Sequence, residues 1–323
     1  MLRALEHKRR TWLWFVVALA IGVAAFSMIG DVRGLGHSLT GFGWWAFFAA
    51  LGLALANYVL RFVRWQVYLA RQNVSVPLVS SALTFGAGLS LSITPAKLGE
   101  LVKSYLLREM HDIPAPRTAP VVVAERVTDL VALLALAVIG VAGYGVDPTL
   151  VAIAGALIGF GLLLLAWPRP TRALVTAITR PEKLRRLREP LLETLENLVA
   201  LCRPVPLVTA TLIAIPAWAC ECVGFALICN AFPGMHVDLG LAMVIYAGTT
   251  IAGALSFLPG GLGVTEGAMT LALVSGAAQF DRASAIAATL LTRLATLWFA
   301  VILGVAFLAL ARRRIAQRTK SAL

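Results

Sequence analysis

The stretch Ser80–Pro95 reads SSALTFGAGLSLSITP, and after Ala96 the chain continues as Lys97–Leu107, KLGELVKSYLL. A run of small and apolar residues thus meets a proline and a glycine and turns into a polar helix. Pro and Gly in the middle of an apolar stretch predict a hairpin, residues 78–108, that dips into a membrane and returns. Broken backbone at membrane depth is tolerated only where protein or a water-filled cavity covers it. An ordinary kinked span is the alternative. The design recurs over residues 238–276: LAMVIYAGTTIAGALSFLP ends at Pro259, a glycine break follows, and TEGAMTLALVSG runs from Thr265 to Gly276.

Around these stretches the composition belongs to a membrane protein. Of 323 residues, 59% are hydrophobic and 14% charged, against about 25% charged in soluble domains; the mean hydropathy is +0.85. A net charge of +12 raises the question of nucleic-acid binding. The cations, however, sit in short blocks between long apolar runs, as in membrane proteins that orient themselves by charge, so no nucleic acid is expected. Six segments approach the roughly 20 apolar residues a bilayer-crossing helix needs: 11–30, 44–65, 119–144, 149–168, 205–231 and 283–311. The first follows Arg3, Lys8, Arg9 and Arg10 and resembles a secretory signal. Its apolar run is long for one and no small-residue cleavage site follows cleanly, so it reads as a retained anchor.

Orientation separates re-entrant hairpins from kinked spans. With both hairpins re-entrant, the N-terminus, the 61–118 region, the 169–204 loop and the C-terminal tail share the cytoplasmic side with nearly all the loop cations. Only Arg33 and Arg282 remain outside. Treating only one hairpin as a full span forces basic clusters to the wrong side. The expected fold is an all-α polytopic membrane protein with six transmembrane helices and two re-entrant hairpins, both termini cytoplasmic, in the inner (cytoplasmic) membrane. It is one transmembrane domain, 1–323. Residues 11–168 form a first half with the hairpin 78–108, residues 169–204 a cytoplasmic linker, and residues 205–311 a second half with the hairpin 238–276. In the linker, Leu184, Leu187, Leu191, Leu195 and Leu198 recur at helical spacing. Residues 182–203 therefore read as an amphipathic helix, either lying on the leaflet or packed on other cytoplasmic loops.

The two halves also match in detail. Pro95-Ala96-Lys97-Leu98-Gly99 before Glu100 corresponds to Pro259-Gly260-Gly261-Leu262-Gly263 before Glu266. Arg126 follows Glu100 at nearly the interval at which Arg293 follows Glu266, and Asn57 and Glu221 precede their prolines equally. Span counting makes the halves antiparallel, the first hairpin opening to the cytoplasm and the second outward. Inverted repeats with broken helices around a midplane site recur in secondary transporters.

Glu100, Glu125, Arg126, Asp129, Glu221, Glu266 and Arg293 fall at or near hydrocarbon depth. At roughly 2.5–3.5 kcal/mol per charge at a helix centre, facing all of them to lipid would cost on the order of 20 kcal/mol, more than a typical net stability of about 5–15 kcal/mol. They must face inward and pair or titrate. Glu125, Arg126 and Asp129 share a helix side, and Lys97, Glu100 and Lys103 form an i, i+3, i+6 stripe. Arginine suits phosphate because its planar fork makes two parallel charge-assisted bonds. Cys202, Cys220, Cys222 and Cys229 read as small buried hydrophobes. No metal or cofactor is expected, and no catalytic triad or phosphate loop is visible. Gly155-x-x-x-Gly159 allows close helix packing or a homodimer contact.

The motifs Arg61-x-x-Arg64-Trp65, Pro95-x-x-x-Gly99-Glu100, Glu125-Arg126-x-x-Asp129 and Pro259-Gly260-Gly261-x-Gly263-x-x-Glu266, in this order, resemble the transmembrane region of lysylphosphatidylglycerol synthases. That flippase-like module also occurs as stand-alone membrane proteins. The resemblance covers about residues 10–312. It implies a polytopic helical fold with re-entrant helices and movement of lipid between leaflets. Together with the repeat and the charges at hydrocarbon depth, it makes Arg61, Arg64, Glu100, Arg126, Asp129, Glu266 and Arg293 the substrate-binding candidates, with Lys97, Lys103, Glu125 and Glu221 in ion-pair or gating roles. Pro95, Gly99, Pro259, Gly260, Gly261 and Gly263 are the hairpin breaks. The synthases carry a further catalytic part, whereas this sequence ends at Leu323 shortly after the last span, so no enzymatic activity is expected. The leading expectation is a lipid flippase working by alternating access, with Arg126 and Arg293 gripping the headgroup phosphate and Glu100 and Glu266, in one cavity, gating or carrying protons. A non-transporting lipid-binding subunit of a lipid-synthesising enzyme and a small-solute secondary transporter are the alternatives.

Overall fold

The computed structural model describes residues 36, 38–144, 149–166, 168–275 and 280–321; the expected span 11–30 lies outside them. Among the described residues all regular structure is helical. Helix α1, Trp44–Arg71, shows why. Its large apolar side chains Trp45, Phe48, Leu55, Val59 and Val63 recur at helical spacing on an uncovered face, while Asn57, Arg61, Arg64, Trp65 and Tyr68 are buried. A soluble helix turns its apolar stripe inward. This one is inside out, as hydrocarbon surroundings require.

The first apolar run forms α2, Leu78–Leu89, followed by a tight 3₁₀ segment Pro95–Leu101, the first tip, and by α3, Val102–His111. Asp112, in the left-handed conformation, ends α3. Then come α4, Ala115–Tyr144, α5, Thr149–Ala166, and α6, Pro168–Ile178. The linker residues 182–203 are not one helix. A single turn, Glu182–Arg185, precedes α7, Arg188–Leu201. Leu184, Leu187 and Leu191 are exposed, whereas Leu198 and Leu201 pack against Trp65, Tyr68 and Leu69. Asn197 donates to the Pro116 carbonyl at 3.1 Å and accepts from Gln72 at 3.3 Å, so the C-terminal half of α7 is a packed helix.

The second half repeats the order: α8, Pro204–Asn230; α9, Leu239–Leu255; a second tip, Pro259–Gly261; α10, Val264–Ser275; α11, Arg282–Arg293; and α12, Phe299–Ser321. Asp281 caps α11, accepting the Ser284 N–H at 3.0 Å. Between α11 and α12 the helix widens into a π-turn, Leu294–Trp298. Among the described residues, three helical stretches, Trp44–Arg71, Pro204–Asn230 and Arg282–Gln317, are long and apolar enough to cross a membrane.

Packing pairs α1 with α8, α4 with α9, and α2 with α12, and the two tips touch each other. Small residues bring the backbones together, as in membrane helix pairs. A side chain at Gly140 of α4 would strike the Gly240 carbonyl of α9, and one at Gly304 of α12 would strike the Ser90 backbone at the end of α2. Cys222 and Cys229 lie in the core beside Trp218 and Phe225, and the four cysteines are free thiols. Gly155 approaches Leu134, while among the described residues nothing lies within 4 Å of a Cβ at Gly159.

Candidate functional site

Where the tips meet, polar side chains surround a cavity of about 370 Å³. Helix α1 supplies Tyr58 and Arg61, the first tip Lys97, and α4 supplies Arg126 and Asp129. Trp218, Glu221, Tyr246 and Arg293 join the lining from α8, α9 and α11. The rim is different. Leu98 and Leu101 of the first hairpin, Val123 of α4, and Leu255, Phe257 and Leu258 of the second hairpin all line the cavity and are also exposed.

Glu100 organises the first tip from behind the cavity wall. It is 1% exposed and takes Lys103 at 3.2 Å, Arg126 at 3.3 Å and Arg61 at 3.6 Å, with the Ser92 hydroxyl at 3.3 Å. Lys103 also donates to Glu125 and stands 4.7 Å over the Trp65 ring. Asp129 receives Arg64 at 2.8 Å, Arg126 at 3.1 Å and the Trp218 indole N–H at 2.9 Å. Arg64 is fully buried and also donates to Thr128 at 3.1 Å. These groups form one ionic network on one side of the cavity. A buried charge without a partner is strongly destabilising, and here each of the three carboxylates has at least one cation.

At the second tip the arrangement is simpler. Arg293 donates through Nε to Glu266 at 2.6 Å and through Nη2 to the Gly260 carbonyl at 2.7 Å. Glu266 also accepts the Gly263 N–H at 2.7 Å. The π-turn begins directly after Arg293; such turns are frequent at functional sites. Glu221 lines the cavity and accepts the Tyr246 hydroxyl at 2.5 Å. Its repeat counterpart Asn57 instead donates to the Ala217 carbonyl at 2.8 Å.

Of the residues singled out in the sequence, Arg61, Lys97, Arg126, Asp129, Glu221 and Arg293 thus share one cavity. Arg64, Glu100, Lys103 and Glu125 stand behind its wall. Glu266 faces a separate groove between α10 and α11, so Glu100 and Glu266 do not line one cavity. Nor do Lys97, Glu100 and Lys103 form a stripe, because Pro95–Leu101 is 3₁₀ and Lys97 has φ +55°. That turn sends Lys97 into the cavity, while Lys103 keeps its i, i+3 pairing with Glu100 and also reaches Glu125. Sequence reasoning overlooked Tyr58, Trp218 and Tyr246. Their signal was a polar tip on an aromatic ring inside an apolar span, a group that needs a partner when buried.

Long apolar helices presenting their large side chains outward around a charged interior define an integral membrane protein. The chain matches the family of the lysylphosphatidylglycerol synthase TM region over residues 13–304, and it belongs to that family. This gives it a membrane- and lipid-related role. No curated protein matches the chain.

Proposed function

We propose that the protein is a lipid flippase that binds a phosphate-bearing headgroup in the tip cavity and passes it between leaflets by alternating access, without catalysing a covalent reaction. The observation that carries this reading is the combination of a cationic floor with an exposed apolar rim. Arg61, Lys97, Arg126 and Arg293 suit an oxyanion, and the rim of Leu98, Val123, Phe257 and their neighbours suits acyl chains. A vestibule for a small solute has no use for such a rim. The packing supports an inverted repeat of six spans and two re-entrant hairpins. Exchanging the halves maps α1–α8 onto itself, the tip contact onto itself, and α2–α12 onto α9–α4, and both repeat-matched pairs, Glu100–Arg126 and Glu266–Arg293, are joined. In this arrangement the termini are cytoplasmic in the inner membrane. The lipid is the working partner, with a lipid-synthesising enzyme or a second copy as further candidates.

The test is leaflet-to-leaflet movement of a fluorescent phospholipid in proteoliposomes. Arg126→Ala and Arg293→Ala should each slow it about tenfold to a hundredfold, the equivalent of about 1.5–3 kcal/mol for a charged hydrogen bond. Lysine replacements should recover only part, because a point charge lacks the fork. A parent protein that binds lipid without moving it would leave the lipid-binding subunit as the better reading.

A further inference from the structure

The repeat is broken in the cavity where the two tips meet. Lys97 and Gly261 are equivalent in the two tips, both line the cavity, and both backbones are left-handed, φ +55° and φ +66°. That conformation costs an L-residue with a Cβ energy that glycine avoids. At Gly261 a side chain would also collide with Thr265 and Gly253. The first tip nonetheless carries lysine where glycine would relieve the backbone. A conformation kept at such a cost points to what the side chain does.

The surroundings say what that is. Glu100, Glu125 and Asp129 each have a cation, yet among the described residues Lys97 enters no ion pair. Its ammonium stands 5.6 Å over the Trp218 ring. Glu221, also in the lining, is engaged with Tyr246. Arg61 lines the same cavity, is 4% exposed, and has an Nε without a hydrogen bond, while its Nη2 is paired with Glu100 at 3.6 Å; Nε of Arg126 is likewise unbonded. Buried polar groups are ordinarily satisfied. An unpaired ammonium beside unsatisfied guanidinium donors is a site built for an oxyanion.

We propose that Lys97, with Arg61 and Arg126, reads the phosphate oxyanion of a net-anionic lipid headgroup, and that it selects against headgroups whose own ammonium cancels the phosphate charge. This rests on the lipid reading above and narrows it to a substrate class. A zwitterionic or cationic headgroup would bring a second ammonium to a cavity that already has an unpaired one.

Binding of short-chain lipids to the purified full chain in detergent tests it without requiring transport. Dihexanoyl phosphatidic acid should bind at least tenfold more tightly than dihexanoyl phosphatidylcholine. Lys97→Met, which keeps an apolar stem on Trp218, should reduce phosphatidic acid affinity about tenfold to a hundredfold and leave phosphatidylcholine unchanged. Lys97→Gly should lose the same preference while its Tm equals or exceeds the parent's, because the left-handed turn is relieved. A lysine serving only structure would lower Tm instead, and that result overturns the proposal, as does equal binding of the two lipids or an unchanged preference in Lys97→Met. Inorganic phosphate binding as tightly as phosphatidic acid would make this a small-anion site and overturn the lipid assignment. Selective binding with no lipid movement in proteoliposomes would sink the flippase reading and leave this inference standing.

Discussion

At the first tip, one carboxylate gathers three cations and is sealed from solvent; at the second, Glu266 meets a single guanidinium, and the glycines Gly260 and Gly261 take the left-handed conformation. Pulling the first tip away from α4 separates charges inside a low-dielectric interior, where an uncompensated ion costs several kcal/mol. Moving the second breaks one ion pair and one bond to a carbonyl. On the alternating-access proposal, the second hairpin is therefore the cheaper gate and the first the fixed wall. Two copies of one motif need not work symmetrically; here the first tip holds the buried charge and the second holds the left-handed glycines.

The sharpest way to break this comparison is topological, and its effect is all or none. If the hairpins enter from opposite faces, a membrane-impermeant thiol reagent should label His236→Cys only from outside and Arg180→Cys only from the cytoplasm, in a variant lacking the four native cysteines. Labelling of both from one face would end the inverted arrangement. The next effect is energetic. Glu100→Gln leaves Arg61, Lys103 and Arg126 short of countercharge and should cost about 3–5 kcal/mol. Glu266→Gln should cost about 1.5–3 kcal/mol, one charged hydrogen bond. Thermal unfolding in detergent reads both, and equal losses would dissolve the distinction between wall and gate.

The breaks at Pro95 and Pro259 were legible because proline and glycine interrupt apolar runs whatever surrounds them. Glu100–Arg126 and Glu266–Arg293 were legible as pairs because the repeat preserves their spacing. Orientation within the site was not. An i, i+3 rule presumes α-helical geometry, and the first tip is 3₁₀ with a left-handed lysine, so Lys97 and Lys103 part company. Glu100 and Glu266 occupy matched places in sequence, yet their neighbours differ enough to face one toward a wall and the other toward a groove. The linker failed differently. Five leucines at helical spacing described two helical pieces, and no local rule says which leucines find Trp65 and Tyr68 more than a hundred residues earlier in the chain.

Glycine at the second tip gives a smaller effect that sharpens the same contrast. Gly261→Ala adds a Cβ at φ +66°, 2.8 Å from the Thr265 hydroxyl and 3.0 Å from the Gly253 Cα. Left-handed strain and overpacking together should cost about 2 kcal/mol. Because the hinge would stiffen, lipid movement should fall further than stability alone explains. A variant that loses stability but flips lipid at the parental rate would show that the second tip does not move.

The smallest expected effect tests whether burial, rather than charge pairing itself, separates the network from the rest of the molecule. Arg172 and Glu196 join α6 to α7 at 2.8 Å, closer than any of the three cations approaches Glu100, but their side chains are 53% and 56% exposed. Water screens such a pair and ordering two long side chains offsets most of the gain. Arg172→Ala should therefore cost less than about 0.5 kcal/mol, and even that should fade in about 1 M salt, where the screening length is about 3 Å. The loss in Glu100→Gln should persist there, since bulk ions do not reach a carboxylate sealed behind Arg61 and Arg126. If salt erased both losses alike, the interior network would have to be open to solvent, and the distinction between a dry wall and a wet linker would fail.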